Sequence, residues 1–153
     1  MKIDVLRLPN ARDLPLPSYA TEGSSGLDLL AAVETDLDLM PGGRVLVPCG
    51  IALALPQGFE GQIRPRSGLA LKHGITLLNA PGTIDSDYRG EVMATLVNHG
   101  TEMFRITRGM KIAQLVVSRF ESAELHEVSE LPPSARGAGG FGSTGLHATK
   151  KAS

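Results

Sequence analysis

Apolar residues in this chain come in short runs, interrupted every few positions by Gly, Pro, Asn or Asp, and helical spacing is almost absent. Such runs, bounded by turn formers, predict β-strands. Strands are expected at Ile3–Leu8, Leu27–Leu30, Thr35–Leu39, Arg44–Val47, Gly50–Leu55, Gly58–Arg64, Ile75–Asn79, Glu91–Asn98, Met103–Ile106 and Lys111–Phe120. Turn signals separate them, among them Pro41-Gly42-Gly43, Pro56-Gln57-Gly58 and Asn98-His99-Gly100. One short helix is expected at Ser67–Lys72, ended by Gly74. Many short strands with regular turns predict an all-β fold, a sandwich or jelly-roll-like barrel. The core domain is expected over residues 1–135, closed by Pro132-Pro133. Residues 136–153 hold almost nothing that builds a core, and they read as a flexible arm that orders on binding. In Lys111–Phe120, alternation places Ile112, Gln114, Val116, Ser118 and Phe120 on one face. Gln114 among apolar neighbours reads either as a satisfied buried amide or as a holder of water or a phosphate oxygen.

Length and composition narrow the picture. A chain of 153 residues fits one domain with a sizeable core. A net charge of −1 supplies no global basic field, so no nucleic acid partner is expected and a polyanion must be held by local groups. The single cysteine, Cys49, forms no internal disulfide and fits a reducing compartment. No signal peptide is legible, and no apolar stretch approaches the roughly 18 residues of a membrane span. A cytoplasmic protein without a membrane partner is expected. The four histidines show no metal-ligand spacing.

Four stretches carry candidate chemistry. RGAGGFGSTG at 136–145 combines converging backbone N–H groups, a forked cation and an aromatic face, which suits a nucleotide; a flexible Gly/Ser tail is the plainer alternative. PRSGLALKHG at 65–74 puts N–H groups, a hydroxyl and a guanidinium where a helix begins, either a phosphate site or an ordinary N-cap. NAPGTIDSDYRGEV at 79–92 suggests a hairpin with a pocket; Asp85 and Asp87 there suit a metal, a base or a solvated turn. In SSGLDLLAA at 24–32, Asp28 lies between leucines, where a carboxylate is costly unless paired, hydrated or turned outward.

Together with RGMKIAQLVV at 108–117, these stretches closely resemble, in order and spacing, the five motifs of the trimeric dUTPase family, from about Ser24 to Gly145. The resemblance implies a jelly-roll homotrimer with three shared active sites, in which the glycine-rich arm closes over bound nucleotide. It implies hydrolysis of dUTP to dUMP and pyrophosphate with Mg²⁺ on the triphosphate. Asp85 matches the general base that orients and deprotonates the attacking water. Gln114 matches the amide that holds that water or a phosphate oxygen. Asp28 matches the carboxylate that meets Mg²⁺ through water. Arg66, Ser67 and Gly68 match the phosphate-binding turn. Asn79 and the hairpin after it, with Thr83, Ile84 and Met93, match the uracil pocket, and Tyr88 matches the ring under the deoxyribose. Arg136 matches the γ-phosphate arginine and Phe141 the aromatic lid. Gly142, Ser143 and Thr144 match substrate contacts of the arm, the two hydroxyls meeting the terminal phosphate.

An aspartate is a weak base, so positioning and charge neutralisation must supply most of the acceleration. A backbone-lined pocket rejects cytosine by leaving buried groups unpaired. Two rivals share the fold: a dCTP deaminase, for which Glu91 is the nearby candidate carboxylate, and a non-catalytic nucleotide sensor, which is expected to lack the aspartate or the arm. The tail LHATKKAS after Gly145 carries no assignment.

Overall fold

The computed structural model describes residues 1–140. Contacts divide the chain after Ser122, so that Met1–Ser122 form one compact unit and a second begins at Ala123. The first unit is all-β. Its strands are β1 Asp4–Arg7, β2 Leu27–Leu30, β3 Leu37–Leu39, β4 Arg44–Pro48, β5 Ile51–Ala54, β6 Phe59–Arg64, β7 Ile75–Leu77, β8 Gly82–Ile84, β9 Met93–Asn98, β10 Phe104–Ile106 and β11 Lys111–Arg119. The one α-helix, α1, covers Ser67–His73, and Pro9–Ala11 form a 3₁₀ turn. Each of the ten expected strands is present, several of them shortened at the ends. Strand β8 is additional.

Every strand pairing is antiparallel, in four ladders: β1 with β5, β3 with β10, β4-β9-β7, and β2-β11-β6-β8. All four line one core, whose fully enclosed side chains include Leu29, Val47, Leu96, Ile106, Ile112 and Leu115. Burying each such aliphatic side chain contributes about 1.5–3 kcal/mol. Cys49 lies in this core, where loss of hydration, and then the charge of Glu91, pushes its thiol from an ordinary 9.0 up to about 12. The thiol is therefore a packing group.

Two details correct the alternation pattern, and both bear on the site. Residues 79–92 join two strands that pair antiparallel with each other, β7 and β9, as the expected hairpin requires, but the connection is not a simple turn: it carries a strand of its own, β8, which pairs with β6 in another sheet. Gly61 on β6 makes room for this: a Cβ there would lie 3.1 Å from both Ile84 Cβ and Leu115 Cδ1. The second detail is a register shift between Lys111 and Ala113 in the pairing of β11 with β2. Ile112 and Ala113 are consecutive and both enter the core. Ile112 therefore does not share a face with Gln114, because the bulge adds a residue to one side of the ladder.

Candidate active site

A cleft of about 690 Å³ opens where β2 and β11 meet α1. Its lining includes Asp28, Arg66, Ser67, Gly68, Lys111 and Gln114. Helix α1 supplies one wall. Arg66 occupies its N-cap position in extended backbone without a side-chain capping bond, so Ser67 is the first helical residue and not the cap. Gly74 ends the helix at φ 68°, the left-handed conformation that glycine adopts freely, and its N–H bonds back to Ala70 O.

Asp28 and Gln114 are directly opposite one another on β2 and β11. The Asp28 side chain is only 13% exposed, and two cations compensate it: Lys111 Nζ at 2.7 Å from Oδ2 and Arg66 Nε at 3.3 Å from Oδ1. A carboxylate this enclosed needs such partners. Arg66 also donates from Nη1 to the Lys111 carbonyl at 3.1 Å. Gln114 Nε2 donates to Pro65 O at 2.9 Å, which fixes the amide over the turn leading into α1. Gly26 leaves room beside it: a Cβ there would overlap Gln114 Oε1 and force the amide to shift. Lys72 and His73 also line the cleft, adding positive or protonatable groups to a wall that holds one carboxylate. Such a surface is electrostatically suited to a polyanion.

Asp85 lies elsewhere. It follows β8 and lines a separate cleft of about 650 Å³ with Leu55, Gln57, Ser86, Asp87, Arg89 and Phe120, none of which borders the first cleft. The turn that carries it is held from two sides. Arg89 Nη1 donates to Ser86 O at 2.7 Å and to Tyr88 O at 2.9 Å. Tyr88 Oη donates to Glu91 O at 2.9 Å, with its ring packed so closely over Gly90 that no Cβ fits there. Glu91 Oε1 in turn accepts from Asn10 Nδ2 at 2.9 Å and from Gly50 N at 2.8 Å, so this carboxylate is engaged in structure. Asn79 and Thr83 are exposed and Met93 is half-buried at the start of β9. Ile84 packs its side chain into the core, leaving only its backbone for a ligand.

In the second unit, Arg136 Nε donates to Gly139 O at 2.7 Å, and Gly137 N donates to Ser134 Oγ at 3.1 Å. Phe141, Gly142, Ser143 and Thr144 lie outside the described residues. Sequence reasoning overlooked Lys111 and Arg89. The adjacent apolar pair Ile112-Ala113, breaking alternation just before Gln114, is the signal that would have exposed Lys111 as a cleft residue.

The family model for dUTPase matches residues 12–145. The chain belongs to the dUTPase family. Among its curated relatives, the deoxyuridine 5'-triphosphate nucleotidohydrolase of Rhizobium rhizogenes is 57% identical over 146 residues, covering 94% of this chain and 94% of that one. That of Methylocella silvestris is 57% identical over 150 residues, covering 97% and 94%. The fold is also that of solved dUTPases. A mutant Staphylococcus bacteriophage 80alpha dUTPase with dUpNHpp superimposes with a TM-score of 0.84 at 23% identity, over 95% of this chain and 99% of that one. A mutant dUTPase from phage phi11 of S. aureus, described with a structural Mg(II) ion, gives a TM-score of 0.75 at 23% identity over 85% and 98%. All five family motifs fall within the matched span, and the described residues carry four of them in full.

Proposed function

We propose that this member of the dUTPase family hydrolyses dUTP to dUMP and pyrophosphate in the cytoplasm, keeping dUTP low and supplying dUMP for dTTP synthesis. The observation that carries the reading is the cationic cleft around Asp28, Arg66 and Gln114 in a chain of this family. In this reading the triphosphate enters against Arg66, Ser67 and Gly68. Asn79, Thr83, the backbone of Ile84, and Met93 receive uracil, and Tyr88 backs the sugar. Asp85 accepts a proton from the water that attacks the α-phosphorus, and Gln114 holds that water or the neighbouring oxygen. Arg136, with Phe141, Gly142, Ser143 and Thr144, closes over the nucleotide.

The separation of Asp85 from the phosphate cleft supports a site completed by another copy of the chain, and thus a jelly-roll homotrimer with three shared sites. The donor set fits magnesium carried by the substrate. Asp28 is the one carboxylate along the cleft, and the described residues contain no grouping of three or more His, Cys, Asp or Glu that would cage a metal. Mg²⁺ characteristically keeps waters and binds one or two carboxylates plus substrate phosphates, so Asp28 would meet it through water. When bound, the ion offsets phosphate charge.

The deciding experiment is product analysis from dUTP, dCTP, dTTP and UTP with Mg²⁺. Pyrophosphate from dUTP alone, and no ammonia from dCTP, is the expected result; intact dUTP would overturn the reading. The engagement of Glu91 with Asn10 and Gly50 argues against the deaminase outcome.

A further inference from the structure

We propose that Lys111 is a positioning residue of this site. Its ammonium takes up the charge of Asp28 so that Arg66 stays available to the triphosphate; the inference rests on the reading of the cleft as the triphosphate site. Three independent features support it. First, Lys111 and Gln114 are three positions apart on β11, a spacing that puts side chains on opposite faces of a regular strand. Both nevertheless line the cleft, because the register shift between Lys111 and Ala113 turns the strand at that point. Bulges re-aim side chains in this way beside active sites.

Second, the two cations share Asp28 unequally. Lys111 Nζ makes the close contact, 2.7 Å to Oδ2, and Arg66 Nε the longer one, 3.3 Å to Oδ1. Without Lys111, Arg66 would be the only cation among the described residues in contact with a carboxylate that is 13% exposed, and its guanidinium would be drawn inward to satisfy it. Third, Arg66 is tied to Lys111 from the other side, through Nη1 to the Lys111 carbonyl. Lys111 thus steadies the arginine with its backbone and relieves it with its side chain. The Lys111 side chain is itself half exposed, so its replacement removes charge without opening the core.

The test uses Lys111→Met and Lys111→Arg in the full-length protein, each with and without Asp28→Asn. The readouts are binding of the non-hydrolysable analogue dUpNHpp, with and without Mg²⁺, and the KM and kcat for dUTP. Lys111→Met is expected to weaken dUpNHpp binding and raise KM by about ten-fold, with a smaller change in kcat, as loss of one charge-assisted contact implies. Lys111→Arg is expected to retain most of the affinity. With Asp28→Asn present, Lys111→Met should change binding by less than about two-fold, because the charge to be relieved is gone. Unchanged binding in Lys111→Met would overturn the inference. So would an equal loss on the Asp28→Asn background, which would mean that Lys111 meets phosphate directly. A wild-type protein that leaves dUTP intact would sink the functional reading instead, so the two failures are distinguishable.

Discussion

Asp85 and Asp28 are the same residue type in opposite surroundings. Asp28 is enclosed and touched by two cations, while Asp85 is exposed on a turn held by Arg89 and Tyr88. A carboxylate already neutralised suits charge organisation; one left to solvent suits accepting a proton. Asp85→Asn keeps shape and removes basicity, so turnover should fall by about 100-fold or more while dUpNHpp still binds, as calorimetry and a pyrophosphate assay would show. Equal loss of both would make Asp85 a structural residue. At this scale the sequence was informative where residue type alone carries chemistry, as in the Arg66-Ser67-Gly68 turn. It was silent on Lys111, whose direction depends on a bulge, and on Ile84, whose side chain serves the core while its backbone remains near the turn.

Strand existence was legible because each strand carries its own apolar pattern, but partners beyond the β7–β9 hairpin were not. Which strand receives β8 is decided by β6, some twenty positions earlier, and by the space that Gly61 leaves for Ile84. Three residues preceded by Pro81 offer too little pattern to register as a strand at all. Gly61→Val should therefore overpack this contact, costing about 1–3 kcal/mol. The loss would appear as a lowered Tm, accompanied by reduced turnover because β8 leads directly into Asp85. Unaltered Tm and turnover would show that β6 and β8 accommodate the added volume. The helix shows the complementary case. Gly74 announced its end locally, whereas the identity of its N-cap, Arg66 in place of Ser67, depended on where the preceding strand released the chain.

At the scale of the whole molecule, every strand among the described residues, and the shared core, lies within Met1–Ser122. Deletion after Pro133 should leave a folded trimer by light scattering, with turnover reduced by roughly 100-fold or more through loss of the charge-stabilising arm. Full activity in that protein would remove the arm from the reaction. The division of motifs between two clefts was beyond sequence reasoning, because motif order along a chain carries no information about which surface each motif reaches. Glu91 adds a coupling across that surface. Its side chain grips Asn10 and the backbone of Gly50, and its main chain receives the Tyr88 hydroxyl. A single residue thus serves as a rivet between the opening segment of the polypeptide and the tyrosine proposed for the sugar. Strain introduced around Asn10 would travel through one side chain and one peptide group to the ring proposed to back the sugar.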